Sequence, residues 1–236
     1  MKQKIQSLIN KLGYKVTKYP DEIQQRKIKL LELNKINLVL DIGANGGHYA
    51  SEIRRMGYKE KIVSFEPLSS AFGMLKNVSI SDPDWRISNV ALGDEDEFSS
   101  INISNNSFSS SILDMGSDQT LAGSDVYFIG KETITIKKLD SIFEDYVDPK
   151  ADNVFLKIDA QGYEEKILAG ACESLKHIKG IQIEMPLVEI YKGQMLLMPL
   201  LQKLYDLGFE LQGLEQGFHN PVTMQLYELD GVFFKK

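Results

Sequence analysis

Residues 38–50 read LVLDIGANGGHYA. An apolar run broken only by Asp41 has the character of a buried strand, and it stops at Gly43. Small residues follow, and from His48 onward the pattern turns polar and helix-like, so the stretch reads as strand, tight turn and helix. Small side chains at such a junction let a ligand touch the backbone, and the first turn of the helix offers free N–H groups. A dinucleotide site would use G-x-G-x-x-G. Here Asn45 stands where the second glycine belongs, and no lysine follows as in a phosphate-binding loop. What remains is a ligand with a nucleoside end and no bulky phosphate.

Glu66 extends that reading. It sits at the tip of the next strand, KIVSFEP, roughly 20 residues beyond the turn, where a carboxylate usually grips a ribose diol. A carboxylate accepts from both hydroxyls, so the match is geometric as well as electrostatic. The alternative is a solvated strand-end acid ahead of a turn proline. S-adenosylmethionine fits both the turn and the acid.

Working outward, HYASEIRRMGY and SSAFGMLKNV read as helices, and DWRISNVALGD as a third strand. From about 94 to 150 the chain becomes Ser/Asn-rich and then alternates in ETITIKKLD, which suggests a polar insertion with antiparallel strand pieces and a short helix at LDSIFEDY. NVFLKIDAQG is a fourth buried strand, YEEKILAGACESLKHI a helix and GIQIEMP a fifth strand. PLLQKLYDLG is a helix, and FELQGLE and LYELDGVFFKK are the last strands. Alternating elements predict an α/β, doubly wound, mostly parallel sheet, with the final two strands antiparallel at one edge. Ligands in such sheets sit at the carboxyl ends of strands. Asp41, Glu66, Asn89, Asp159 and Glu184 all fall there.

Chain-wide properties bound the function. At 236 residues the chain suits one α/β domain plus a short appendage. No stretch approaches bilayer length, and MKQKIQSLIN lacks the apolar core of a secretory signal. The single cysteine, Cys172, excludes an internal disulfide and fits a reducing compartment, so the cytoplasm is expected. A net charge of −6 argues against broad capture of nucleic acid. Basic residues nevertheless outnumber acidic ones before the first strand, and Ile5, Leu8, Ile9, Leu12 and Val16 recur at helical spacing. That helix either makes peripheral contact with an anionic membrane or caps the main domain with its apolar face.

The sequence resembles the FkbM family of S-adenosylmethionine-dependent methyltransferases, within the class I Rossmann-like group. The resemblance lies in LDIGANGGHYASEIRRMGY, VSFEPLSSAF, DWRISNVALGD, NISNNSFSSSIL, LKIDAQGYEEKILAGA, QIEMPLVEIYKGQ, LGFEL and LYELDGVFF. It covers nearly everything beyond the N-terminal helix; GAN, FEP and KIDAQGYE in this order are its most specific part. The family implies a seven-stranded sheet with an antiparallel last strand, hence a methyltransferase domain over 37–236 with an N-terminal helical extension over 1–36. It also implies that Asp41, Gly43 and Asn45, with Ala44 and Gly46 in the same turn, shape the methionine pocket. Glu66 would hold the ribose and Asn89 would lie near the adenine. Members commonly O-methylate hydroxyls of sugars, glycans or polyketide-type natural products, leaving S-adenosylhomocysteine.

Methyl transfer to an alcohol needs the acceptor oxygen placed in line and a base to take its proton. Asp159, Glu184 and His48 are the candidates. Each has an alternative: Asp159 caps the next helix or holds the donor's amino group, Glu184 fixes the Met185-Pro186 turn, and His48 is an ordinary first-turn imidazole. His177, His219 and Cys172 are expected to pack or face solvent. Lys157, a charge in a buried strand, requires an ion pair with one of the strand-end carboxylates, such as Glu184, and Glu164 is either a bridge to it or a solvated first-turn acid. No metal site is signalled. SNNSFSSS (104–111) suits a hydroxyl-rich acceptor, or is simply a polar surface loop. The expected function is O-methylation of a carbohydrate or related small molecule. Lipid or peptide acceptors, or a non-catalytic nucleotide-binding regulator, are the alternatives.

Overall fold

The computed structural model describes residues 9, 11–14, 19–116, 126–220 and 222–236. Ile5, Leu8 and Val16 of the expected amphipathic stripe lie outside them. Helix α1 (Glu22–Leu33) starts with a reciprocal cap, in which the Asp21 side chain accepts from the Gln24 N–H and the Gln24 side chain returns to the Asp21 N–H. It is tied to the rest of the chain by buried Lys27, 2.9 Å from Glu215, and by the Gln24 amide donating to Glu52.

Strand β1 (Leu38–Ile42) leads through the glycine turn to α2 (His48–Arg55), then β2 (Lys61–Phe65), α3 (Ser69–Ser79) and β3 (Trp85–Ser88). Beyond the insertion come β7 (Val154–Ile158), helix α5 (Glu164–Ala169), β8 (Ile178–Pro186), α6 (Leu197–Asp206), β9 (Phe209–Gln216) and β10 (Glu228–Lys235). The large sheet has seven strands in the order β3-β2-β1-β7-β8-β10-β9, with β10 antiparallel to both neighbours. This is the doubly wound sheet expected. The last two strands do form an antiparallel edge pair, with β10 entering between β8 and β9.

The sheet is buried on both faces because each inner strand is apolar at both parities. Leu38, Leu40, Ile42, Leu156 and Ile158 feed one core, and Val39, Ile62, Phe155 and Val232 the other.

Two elements differ from the sequence reading. DWRISNVALGD is not one strand: β3 pairs with β2, while β4 (Ala91–Leu92) joins a second sheet with β5 (Glu97–Ser104) and β6 (Phe128–Lys137). The Asn89 amide marks the break by donating to the carbonyls of Glu66 and Pro67. The insertion continues into α4 (Leu139–Tyr146).

Likewise YEEKILAGACESLKHI is not one helix. It stops at Gly170, where a Cβ would lie 1.8 Å from the Gly93 carbonyl oxygen. A 3₁₀ turn then forms at Ser174–His177, and the Asp140 carboxylate accepts from the N–H groups of Glu173 and Ser174 just ahead of it. This contact packs the end of α5 against the backbone just after β4, so Gly170→Ala should cost about 3 kcal/mol in urea unfolding through overpacking. An unshifted midpoint would contradict the close approach.

Candidate functional site

The turn after β1 is built from residues in the left-handed region: Gly43 at φ +72°, Asn45 at +48° and Gly47 at +85°. Gly43 is required twice over, because a Cβ there would fall 1.8 Å from the Asp159 carbonyl oxygen. The amides of Gly43 and Ala44 donate to the Phe65 carbonyl, which locks the tips of β1 and β2 together. Asn45 engages its backbone N–H and both polar atoms of its side chain. Its N–H donates to Glu66 Oε2 (2.8 Å), its Oδ1 accepts from the Gly46 N–H (2.7 Å), and its Nδ2 donates to the Ser107 carbonyl (2.8 Å).

Glu66 also accepts from the Leu68 N–H at 2.9 Å. Burial pushes its pKa up to about 7, against the lowering effect of those two backbone N–H groups. Though only 5% exposed, it lines a cleft with about 660 Å³ of empty space, part of it open to solvent. Phe65, Leu68, Leu92, Ile101 and Ile112 give that cleft apolar walls, and Ser107 and Phe108 of the insertion contribute to the same wall.

A second cavity, with about 930 Å³ of empty space, shares Gly43, Asn45, Phe108 and Asp159 with the first and continues toward α1 and β10. Two of its lining residues, Lys157 and Gln182, belong to a polar row crossing the sheet in register, in which Ser64, Asp41, Lys157 and Gln182 are successive neighbours on β2, β1, β7 and β8. Lys157 Nζ lies 3.3 Å from Asp159 and 3.5 Å from Asp41. The Asp41 carboxylate accepts from the Ser64 hydroxyl, which itself accepts from the Trp85 indole N–H. Burial opposes the Lys157 charge, but Asp159 and Asp41 more than offset it, and its pKa is raised. Lys157 thus pairs with strand-end carboxylates as expected, but with Asp159 and Asp41 and not with Glu184, because parallel register sets Asp41 directly beside it.

The structure separates the candidates into groups. Gly43 and Asn45 line both cavities, Ala44 and His48 the second and Glu66 the first, whereas the Gly46 N–H bonds back to Asn45. Asp41 lies wholly buried beneath the turn, and Asn89 clamps the tips of β2 and β3 through its amide. His48 packs its ring against Phe108, with centroids 5.3 Å apart. Asp159, 39% exposed at its side chain, stands where the cavities meet.

Glu184 lies outside both cavity linings but is linked to Asp159 by Gln161, whose Nε2 donates to Asp159 (3.1 Å) and Glu184 (3.3 Å). The Tyr191 hydroxyl fixes that amide by donating to its Oε1 at 2.8 Å. Burial, reinforced by Asp159 and Glu228, raises the Glu184 pKa well above the usual carboxylate range. Glu164 accepts instead from the N–H groups of Ala160 and Gly162, so it braces the β7–α5 turn and does not bridge to Lys157. The polar loop after β5 serves largely itself: Asn106 caps Phe108 and Ser109, and Ser110 bonds to the Ser104 N–H. Sequence reasoning missed Gln161, Tyr49 and Gln182. Among the described residues, no group of three or more His, Cys, Asp or Glu could hold a metal ion.

The profile of one protein family, described as the methyltransferase FkbM domain, matches residues 41–211. A comparison with curated proteins returns no match. Among solved structures the chain is similar to a methyltransferase FkbM from Methylobacillus flagellatus KT, at 17% identity and a TM-score of 0.52. That alignment covers 83% of this chain and 43% of the other, so this chain spans less than half of that relative. It is also similar to an rRNA methylase from Streptococcus thermophilus, at 10% identity and a TM-score of 0.48, over 93% of this chain and 98% of that one.

The floor of the second cavity sets a measurable cost. Lys157→Met leaves Asp41 buried without its counter-charge and should cost about 3–5 kcal/mol in chemical unfolding. Adding Asp41→Asn should restore part of the loss. A cost below about 1 kcal/mol for the single change would mean that the pair is not held as a buried ion pair.

Proposed function

This chain belongs to the FkbM methyltransferase family, and on that premise we propose that it is an S-adenosylmethionine-dependent O-methyltransferase acting on a hydroxyl of a sugar, glycan precursor or related natural product. The observation that carries the donor assignment is Glu66. Each of its oxygens accepts one backbone N–H, which leaves acceptor positions for a ribose diol at the edge of an apolar cleft suited to a purine. When bound, the donor supplies a methyl group already activated by the sulfonium charge.

The chain's own task is then to orient an acceptor and take its proton. Asp159 suits that role, since it is accessible at the junction of the cavities and is held from behind by Lys157 and Gln161. Glu184, whose pKa is raised by burial, is joined to Asp159 through the Gln161 amide and supports it as a hydrogen-bond partner. The cytoplasm belongs to the same reading and is supported by the single exposed Cys172. No described helix is long and apolar enough to cross a membrane.

Titration with S-adenosylhomocysteine and incubation of labelled donor with hydroxylated acceptors test the assignment. Binding without transfer to any of them would favour a non-catalytic regulator. Glu66→Ala should weaken S-adenosylhomocysteine by about 1–3 kcal/mol. An unchanged dissociation constant would remove the ribose role.

The ionised Glu66 is the form that accepts from a diol. With a pKa of about 7, it gains protons as pH falls through that value, so donor affinity should drop below pH 7 and level off above pH 8. A flat profile from pH 5.5 to 8.5 would contradict it. Asp159→Asn should lower kcat about 100-fold while donor affinity changes less than threefold. Equal losses in both would make Asp159 a donor-binding group instead.

A further inference from the structure

The edge of the large sheet opposite the tips that bear Gly43 and Asp159 holds a recess with about 810 Å³ of empty space, part of it open to solvent. Topology gathers its lining. Asn34 and Lys35 precede β1, Asn153 precedes β7, Ile178 and Lys179 open β8, and antiparallel β10 returns Lys235 and Lys236 to the same edge. The recess shares no residue with either cavity described above.

Five of its nine lining residues are lysines, and none is acidic. In a chain with 33 acidic and 27 basic residues, that is a local reversal of charge. The end of α1 does not need these cations. The N–H and the side-chain amide of Asn34 both donate to the Leu30 carbonyl, and the N–H groups of Lys35 and Ile36 donate to the carbonyls of Glu32 and Leu31. Lys176 and Lys236 are paired with Glu173 and Glu210, which stand outside the lining. Lys35 and Lys179 make no ion pair among the described residues. Lys235 is held in place, because its ammonium donates to the carbonyls of Leu175 (2.6 Å) and Lys176 (3.2 Å). Burial and the neighbouring Lys179 charge lower its pKa, the mark of like charges gathered on one wall.

A lysine ammonium is a compact point charge with three donors, and phosphate oxygens accept several such donors while offsetting their mutual repulsion. A recess, unlike a flat basic face, favours a compact anion over an extended one. We propose that this recess binds a phosphate-bearing small molecule, with its phosphoryl oxygens facing Lys35, Lys179 and Lys235. The site lies at the far edge of the sheet from the methyl-transfer cleft, so its occupant is not the group that reacts there. It stands or falls independently of the donor assignment.

Pyrophosphate is the probe. Titrated calorimetrically at about 150 mM salt, where exposed charges are largely screened beyond about 8 Å, it should bind saturably. Lys35→Glu and Lys179→Glu should each weaken it at least tenfold. Lys131→Glu, the same charge change on an exposed position of β6, should leave it within twofold. Neither recess lysine has an ion pair to lose, so both variants should melt near the wild-type temperature. The absence of saturable binding, or a loss in the recess variants no greater than in Lys131→Glu, would overturn the site. Sedimentation with phosphatidylglycerol vesicles tests the other source of phosphate. Retention that the two recess variants abolish and pyrophosphate does not compete would overturn the small-molecule reading in favour of a membrane surface.

Discussion

A lysine and an aspartate face each other at the centre of the large sheet, on adjacent parallel strands with helices on both faces. Taking two charges out of water costs several kcal/mol per ion before their attraction is counted. The Lys157–Asp41 pair is therefore poor as a stabilising device and effective as a fixed point. Below it the sheet is hydrocarbon: Val39, Ile62, Phe155 and Val232 pack without a polar atom among their side chains. At its level the chemistry changes across four strands at once, from Ser64 to Gln182. The apolar layer holds the strands in register, and the register decides which polar groups meet.

The insertion belongs to the site and is not an ornament on it. Asn45 reaches across to the Ser107 carbonyl, and the Ser111 hydroxyl donates to the Gln161 carbonyl at 2.6 Å. The same segment supplies Phe108, against which His48 rests. The small sheet and the large one are thus stitched together on both sides of Asp159. The polarity of its loop, which in sequence suggests sugar recognition, is mostly consumed in shaping the loop.

Much of this was legible in the sequence because it depends on local pattern. Buried strands announced themselves as apolar runs, and the turn at Gly43 and the acid at Glu66 fell at fixed distances from them. What stayed hidden depends on partners far along the chain. Nothing within DWRISNVALGD says that its two halves pair with different sheets. The need for glycine at 170 comes from the distant Gly93 carbonyl, and helical periodicity cannot register that. Lys157 was visible as a charge in need of a partner, but choosing Asp41 over Glu184 required the strand register. Tyr49 and Gln182 look ordinary on a helix and a strand, and they become conspicuous only because Tyr49 Oη and Gln182 Oε1 are buried with no hydrogen-bond partner among the described residues.

The placement of β10 carries a consequence for biogenesis. Translation delivers β8 and then β9, yet their neighbour is the segment Glu228–Lys235, which leaves the ribosome after both. Until it emerges, the facing edges of β8 and β9 present open ladders that invite pairing with other chains. The half of the sheet around β1 has all its strands before that segment arrives, and only the segment's insertion closes both open ladders.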